Sequence, residues 1–380
     1  MDSTAQKLRI IVGKPLVPVF CFFAGVTYDS LTLTRIDRLL DNALLLTYLT
    51  VLGGLIVLTG RMTVFPETTV WPFYLQPVAR RIHNPRATLP LAIQFLLGSL
   101  FSAYAIFYSQ SASRTSTVVF FLVLIGLLVG NEFLRHRLGN LSLLVALYAV
   151  VTCSFLTFFL PVVTGVMNTA VFLAGALLTI LVVLLLTRAI NRRSVSHEAA
   201  LPMTLFHMPN LRMAMPGIGI VMFLVTFYFL NWIPPVPLSL KFSGTYHAVA
   251  KEEEVFRLSF ERGAWYDFWK RSDDRFRGDG PAYCFTAVFA PVDLNATIYH
   301  RWQHRPDGAK HQAYSTTDRI GLSLSGGREG GYRLYSVKQR VLPGDWRVDV
   351  ETENGRLLGR VTFHVEPEEL LPRPLKTIAY

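Results

Sequence analysis

Residues 168–187 read NTAVFLAGALLTILVVLLLT, twenty positions without a charged side chain. A helix needs about 20 predominantly apolar residues to cross the hydrocarbon core of a bilayer, because each residue adds about 1.5 Å to its length. A helix in a water-soluble protein normally keeps one polar face, and this stretch offers none. The stretch therefore predicts a membrane-spanning helix.

Similar apolar runs recur through the first two-thirds of the chain and predict an α-helical transmembrane bundle of about seven helices. Prolines and Asp29 interrupt the first run, so a partly re-entrant segment is the alternative there. The seven runs are Leu16–Leu33, Asn42–Thr59, Thr88–Tyr108, Ser116–Leu134, Leu141–Val163, Asn168–Thr187 and Gly217–Ile233.

The distribution of basic residues predicts the orientation of the bundle. The chain has a formal net charge of +11, and residues 1–234 hold 16 Lys and Arg against 7 Asp and Glu. With the N-terminus in the cytoplasm, thirteen of these basic residues fall inside and three fall outside, namely Arg35, Arg38 and Arg114. Cytoplasmic loops are enriched in Lys and Arg, so seven spans place the C-terminal part outside, in the periplasm. This topology accounts for the basic charge without nucleic-acid binding.

The composition changes after Ile233. The segment PPVP at residues 234–237 cannot continue a helix, because proline lacks the backbone N–H and fixes its φ angle. The following runs alternate with a period of two, as strands do. We therefore divide the chain into a polytopic helical domain, residues 1–234, and a soluble β-domain, residues 235–380. The expected strands are Val255–Phe260, Tyr283–Val292, Ala296–His304, Ile320–Ser325, Tyr332–Arg340, Trp346–Glu351 and Leu357–Val365.

The number and spacing of these strands are typical of an all-β sandwich of the immunoglobulin or fibronectin type. Asn354-Gly355 predicts a tight hairpin between the last two strands. The glycine-rich segment Gly326–Gly331 predicts a second hairpin turn. It lacks the lysine and the helix that follow a phosphate-binding loop.

Several motifs resemble a family of bacterial membrane proteins that end in the domain of unknown function 2914. The resemblance implies an inner-membrane location and a periplasmic β-domain, and it implies no activity and no catalytic residues. The N-terminal motifs are Phe23-Ala24-Gly25, residues 29–37, residues 97–104 and residues 129–133; the C-terminal motifs are Tyr299-His300-Arg301-Trp302, Gly344-Asp345-Trp346-Arg347-Val348 and residues 355–359.

Charged groups in membrane segments are costly and are functional candidates by default. Asp29, Arg35, Asp37 and Asp41 lie toward the outer side and predict a polar cluster that binds an ion or a small polar ligand. The alternative is that these charges pair with one another and that Asp41 or Asn42 is the N-cap of the second helix.

Asn131 and Glu132 form a second candidate toward the inner side. The alternative for Glu132 is an ion pair with an interfacial arginine. Because Asp29 and Glu132 lie at opposite depths of the bilayer, they do not predict a paired acid–base site.

In the β-domain, His300, Trp302 and Trp346 are candidates for binding a partner, since aromatic rings beside arginines stack on sugar rings. The alternative is a tryptophan core at the centre of the sandwich. The histidines do not have the spacing of a zinc site, and neither a nucleophile motif nor a cofactor motif is present, so we expect no metal and no cofactor.

These features favour a non-enzymatic inner-membrane protein whose periplasmic β-sandwich binds an envelope protein or glycan. The expected partners are the lipid bilayer and that envelope partner, without nucleic acid. One alternative is a transporter or channel-like bundle with an accessory outer domain, because anchoring alone needs a single span. Another is a membrane enzyme that acts on envelope substrates through the outer carboxylates.

Overall fold

In a computed structural model of the protein, six helices precede eleven strands within the described part of the chain. The first predicted span, Leu16–Leu33, lies outside that part. The described residues are 38–64, 85–111, 118–133, 140–191, 208–253, 255–263, 270–277, 280–292, 294–308, 311–328, 330–366 and 374–380.

The six helices overlap the other six predicted spans and confirm them as mainly helical; the last helix begins at Met208 and ends at Phe229, four residues before the predicted end at Ile233. They are α1 (Leu39–Val64), α2 (Pro85–Ser111), α3 (Val118–Phe133), α4 (Leu141–Thr164), α5 (Thr169–Asn191) and α6 (Met208–Phe229).

Five of the six helices, all except α3, are long and apolar enough to cross a membrane. Helix α3 has 16 residues in the described part of the chain, and the residues on either side of it lie outside that part. The qualifying stretches are Leu39–Thr63, Ala92–Ser111, Leu141–Thr164, Thr169–Asn191 and Asn210–Phe229.

Glycines mark close approaches between helices. A Cβ atom added to Gly53 of α1 would lie 2.7 Å from the hydroxyl oxygen of Tyr148 in α4. One added to Gly60 would lie 2.9 Å from a side-chain methyl carbon of Ile190 in α5. Small residues allow apolar helices to approach closely where the hydrophobic effect does not drive association.

The eleven strands form three sheets. Their orders are β1-β5-β8, β4-β10-β9-β6-β7 and β11-β3-β2, and all pairs are antiparallel except β4 with β10. The strands are β1 (Ser239–Tyr246), β2 (Ala248–Glu252), β3 (Val255–Glu261), β4 (Arg275–Phe276), β5 (Ala282–Phe289), β6 (Asn295–Arg305), β7 (Ser315–Ser325), β8 (Tyr332–Lys338), β9 (Gly344–Thr352), β10 (Leu357–Val365) and β11 (Leu375–Ala379).

The main β core lies between the five-stranded sheet and β5. Trp302, Trp346 and Phe363 come from the five-stranded sheet and pack in one cluster with Cys284 of β5. Trp302 and Cys284 have no exposed surface. Burial raises the pKa of the Cys284 thiol, so this cysteine is an inert core residue. The region is therefore β-rich and antiparallel, and its assignment to the immunoglobulin or fibronectin type remains a prediction.

The two predicted hairpins have different outcomes. Strands β9 and β10 are antiparallel neighbours, and Gly355 between them has a φ of 73°, which confirms the Asn354-Gly355 turn. The prediction of a hairpin at Gly326–Gly331 is wrong, because the strands that it joins, β7 and β8, lie in different sheets. A Cβ on Gly326 would lie 1.6 Å from the carbonyl oxygen of Pro291. Glycine is required there by close backbone contact in a connection between sheets.

The chain divides into two compact units. The first holds the described residues up to Ser109 together with Leu122–Phe155 and Leu177–Met222. The second holds the described residues of Gln110–Phe121 together with Leu156–Ala176 and Phe223–Tyr380. The second unit therefore contains the C-terminal ends of α2, α4 and α6 and the N-terminal parts of α3 and α5, together with all eleven strands.

Candidate functional site

The predicted outer cluster falls mainly outside the described residues. Asp29, Arg35 and Asp37 lie there, and Asp41 is described. Helix α1 begins at Leu39, so Asp41 lies in its first turn and is not the N-cap. A carboxylate in the first turn is stabilised by the helix dipole. The proposed ligand of the cluster stays a prediction.

The predicted inner pair lies near the end of α3. Asn131 and Glu132 are helical residues, and their side chains are outside the described part of the structure. Neither ligand binding nor the alternative ion pair of Glu132 is tested.

The three candidate residues of the β-domain lie inside the protein. His300 and Trp302 are 0% exposed and Trp346 is 2% exposed. The His300 ring nitrogens lie 3.0 Å from Thr286 Oγ1 and 2.8 Å from Ser336 Oγ, and the Trp302 indole N–H donates to that same Ser336 oxygen. Burial lowers the pKa of His300 to about 4, so the ring is neutral at pH 7. These side chains join the sheets internally, which matches the alternative of a tryptophan core.

The opposite face of the five-stranded sheet carries the charged side chains. Side chains alternate along a strand, so Tyr299, Arg301 and Arg305 point away from the Trp302 core. Arginines and carboxylates of β7, β9 and β10 lie on the same face. We call this surface the arginine face; it comprises Tyr299, Arg301, Gln303, Arg305, Tyr314, Arg319, Asp345, Arg347, Asp349, Glu351 and Arg360.

A buried glutamate joins two arginines at the centre of the face. Arg301 of β6 pairs directly with Arg319 of β7 in the strand register. Like charges in this position repel each other. Glu351 lies between them, with one carboxylate oxygen 3.2 Å from Arg301 Nε and the other 2.8 Å from Arg319 Nε. The register therefore creates a repulsion that one carboxylate relieves.

Asp349, two residues before Glu351 on β9, also bridges two arginines. Its Oδ2 atom accepts hydrogen bonds from Arg301 Nη2 at 3.2 Å and from Arg360 Nη2 at 3.0 Å. The Asp349 and Glu351 side chains are 1% and 3% exposed, whereas the Arg301 and Arg360 side chains are 35% and 32% exposed. The carboxylates lie underneath the guanidinium groups, so solvent meets the positive charge.

Aromatic rings hold the guanidinium groups in place. The Arg319 guanidinium carbon lies 3.8 Å from the ring centroid of Tyr299. Those of Arg347 and Arg305 lie 4.2 and 4.6 Å from the ring centroid of Tyr314. A guanidinium stacked on a ring keeps the N–H groups at its edge available for hydrogen bonds. The cations are therefore ordered before any partner arrives.

Arg347 shows that positive charge is in excess on this face. Its Nε donates to the neutral Gln303 side chain. Burial and the neighbouring Arg360 both lower the pKa of Arg347. The arginine face thus holds five arginines against three carboxylates: the buried Asp349 and Glu351, and the partly exposed Asp345, which pairs with Arg305 at 2.6 Å. Positive charge remains in excess, so the face suits an anionic partner.

A second cluster of titratable side chains lies around His247. Its Nε2 atom is 3.5 Å from Glu261 Oε1 and 3.7 Å from Asp273 Oδ2, and Lys270 Nζ is 3.3 Å from Asp273 Oδ1. Burial raises the pKa of Asp273 to about 7. Among the described residues, no group of His, Cys, Asp and Glu has the arrangement of a metal site. The cluster ties the segment before β4 to the end of β3.

The arginine face had a signal in the sequence. Tyr299, Arg301 and Gln303 alternate with His300 and Trp302 along the predicted strand Ala296–His304. Period-two alternation places the two sets on opposite faces of the strand. The prediction took the face with His300 and Trp302 as the binding face, whereas the structure exposes the other one. The buried carboxylates Asp349 and Glu351 had no local signal, because their burial depends on arginines from other strands.

Comparisons with known proteins locate this face within a domain family. Residues 295–365 match the model of a family described as a protein of unknown function (DUF2914). This range runs from β6 to β10 and contains the whole arginine face. The recognition of this domain from its motifs is confirmed, and the match does not extend to the helices.

Two further comparisons add no functional information. The search of curated proteins finds no match. A solved structure of Pseudomonas fluorescens alkylpurine DNA glycosylase AlkC, bound to DNA containing an abasic site analog, aligns with 88% of this chain and 99% of that chain at 10% identity. The TM-score of 0.22 is too low for a shared fold, so this similarity carries no argument.

Proposed function

We propose that this protein is a multi-pass protein of the bacterial inner membrane whose periplasmic β-domain binds an acidic segment of an envelope protein through the arginine face. The observation that carries the proposal is the burial of Asp349 and Glu351 beneath arginines that stay about one-third exposed. The internal anions balance only part of the charge and leave an ordered cationic surface.

Three observations support the membrane part of the proposal. Five helices are long and apolar enough to cross a bilayer. Thirteen Lys and Arg on the proposed inner side against three on the outer side favour a periplasmic C-terminal part. The segments on the proposed outer side, Leu156–Ala176 and the strands, belong to one compact unit. We also propose that the facing sheets around Trp302 form an immunoglobulin- or fibronectin-like sandwich, as the number and spacing of the strands favour.

The chemistry of the face favours a carboxylate-bearing protein segment. Glu351 already bridges two arginines from neighbouring strands, so the spacing of the guanidinium groups suits carboxylates. Arginine is enriched at protein interfaces and binds carboxylates with paired hydrogen bonds. Stacking on Tyr299 and Tyr314 reduces the entropy lost on binding, because those arginines are already ordered.

The test uses the full-length protein in an uncharged detergent and measures its affinity for poly-L-glutamate, with poly-L-glutamine as the neutral polymer. We expect Arg319→Gln and Arg360→Gln each to weaken binding about tenfold. Arg257→Gln is the matched control, because Arg257 is 58% exposed and pairs with Glu252 in another sheet. Affinity should also fall as salt rises.

Unchanged affinity in both face variants would remove the arginine face from the proposal. Preference for polygalacturonate over poly-L-glutamate, with loss in the same variants, would replace the protein partner by an acidic glycan. The transporter alternative rests on the number of apolar helices alone.

A further inference from the structure

A pocket of about 490 Å³ lies in the second unit, beside the β9–β10 hairpin. Its lining includes Asn168 from the connection between α4 and α5, Asn295 and Ser325 from the five-stranded sheet, Tyr332 of β8, and Asn354 of the β9–β10 hairpin. Pockets that bind small molecules have volumes of roughly 300–1,000 Å³. The pocket is therefore large enough for a ligand or for the polar end of one.

A narrow recess of about 20 Å³ adjoins this pocket. The two share Asn168, Thr352 and Asn354 among their lining residues. A recess of this volume accommodates about one oxygen-sized group. Arg356 lines the recess, and no acidic side chain of the described residues does.

Arg356 is a buried cation that faces the recess, and the described residues supply no anion to it. The residue is 8% exposed, and its Nε has no hydrogen-bond partner within the described structure. Its guanidinium carbon lies 3.3 Å from the ring centroid of Tyr228. No carboxylate of the described residues pairs with it. Burying a charge without an opposite charge is costly, so such a side chain points to an external anion.

The N-terminus of α5 meets the same recess. Helix α5 has 23 residues and begins at Thr169. Asn168 caps it, with its Oδ1 accepting the N–H of Val171 at 2.9 Å and its carbonyl accepting the N–H of Phe172 at 3.2 Å. The remaining N–H groups of a first turn and the helix dipole favour anions, phosphates above all.

We propose that this pocket binds a phosphate group, with a phosphate oxygen in the recess between Arg356 and the N-terminus of α5. Both features carry positive charge, they approach the recess from different elements, and the described protein supplies no anion to it. Glu353, an exposed residue, lines the larger pocket and is not part of the recess. The phosphate belongs to a lipid headgroup or to free phosphate, which share this chemistry. The proposal is independent of the arginine face.

The test uses delipidated full-length protein in an uncharged detergent. One arm measures binding of phosphatidylglycerol against diacylglycerol, which has the same chains without the phosphate. The other arm measures the rise in thermal midpoint caused by inorganic phosphate against chloride at equal ionic strength. We expect phosphate-dependent binding in at least one arm and a loss of about tenfold in affinity in Arg356→Gln. Binding of the lipid alone identifies a headgroup site; an effect of inorganic phosphate identifies a site for the free ion.

Two further variants keep the test decisive if Arg356→Gln is poorly folded. Ser325→Trp narrows the larger pocket without touching Arg356 and should weaken binding similarly. Arg356→Lys keeps the charge and should retain part of the affinity. Arg257→Gln is again the control and should bind as the wild type does. Equal binding of phosphatidylglycerol and diacylglycerol together with no effect of inorganic phosphate overturns the proposal, as does wild-type affinity in both Arg356→Gln and Ser325→Trp.

Discussion

The guanidinium carbon of Arg356 lies 3.3 Å from the centroid of the Tyr228 ring. Phe172 stacks on the same ring, with centroids 3.7 Å apart and planes 10° apart. At these separations Arg356 and Phe172 must occupy opposite sides of Tyr228. The Tyr228 hydroxyl also donates to Thr169 Oγ1 at 3.2 Å, so the ring is held in place. Arg356 of the β9–β10 hairpin, Tyr228 of α6 and Phe172 of α5 thus form one stack.

Arg356→Met should leave the thermal midpoint of the ligand-free protein unchanged or raise it. Burial is the main influence on the Arg356 guanidinium and lowers its pKa, so the charge destabilises the folded state unless an anion is bound. An apolar side chain of similar length removes this desolvation cost. Thermal unfolding followed by circular dichroism checks the result. A loss of more than about 1 kcal/mol would mean that the contact with Tyr228 outweighs the cost of burial.

Asp349→Asn should destabilise the β-domain by about 2–3 kcal/mol. The substitution leaves Arg301 and Arg360 without their shared carboxylate, and their partial exposure keeps the loss below that of a fully buried pair. Near-ultraviolet circular dichroism during thermal unfolding measures this, because it reports the packed tryptophans. Glu252→Gln is the matched control; its ion pair is 55–58% exposed and should contribute less than about 1 kcal/mol. Equal losses in the two variants would contradict this prediction.

His300 should make the β-domain less stable in acid. Burial lowers its pKa to about 4, so between pH 6.5 and 4 the unfolded chain binds a proton that the folded protein does not. The contribution is fully present above about pH 6.5 and is lost as the pH falls toward 4, up to about 3 kcal/mol. Unfolding midpoints of wild type and His300→Gln across this range provide the measurement. Parallel pH profiles would show that His300 does not titrate in this way.

Asp273 should make the β-domain more stable as the pH falls, the opposite of the effect of His300. Burial raises its pKa to about 7, above its ordinary value of 3.8, so the folded protein holds a proton that the unfolded chain releases. Its contribution to stability therefore grows as the pH falls from 7 toward 4. Asp273→Asn should be less destabilising at pH 8 than at pH 5, since the amide removes the buried charge and keeps an acceptor for the Glu261 N–H. A larger loss of stability in Asp273→Asn at pH 8 than at pH 5 would contradict this prediction.

A reporter fused after Tyr380 tests the proposed topology. We expect alkaline phosphatase, which folds in the periplasm, to be active there and a β-galactosidase fusion at the same position to be inactive. A phosphatase fusion in the connection that follows Asn191 should be inactive, since four basic residues lie between Thr187 and Gly217. The reverse pattern would place the arginine face and the Arg356 pocket on the cytoplasmic side.

Local patterns in the sequence predicted the elements well. Apolar length located α1 to α6, the prolines after Ile233 marked the change to strands, and Asn354-Gly355 located a hairpin. These features depend on residues that are near neighbours in the chain. The hairpin predicted at Gly326–Gly331 was wrong because a non-local contact requires glycine there. Gly326 packs against the backbone of Pro291, and no local sequence pattern reveals that contact.

The sequence by itself determined the six described helices, seven of the eleven strands and the two sets of side chains on β6; it missed β1, β2, β4 and β11. It did not decide which set is buried, because period-two alternation is the same for either choice and the facing sheet selects between them. Packing placed Trp302 inside and Arg301 outside. Likewise Arg356 is an ordinary hairpin residue in the sequence, and only the approach of Tyr228 and the N-terminus of α5 makes it a buried cation beside a pocket. Those contacts join residues far apart in the chain, where only tertiary packing determines distance and burial.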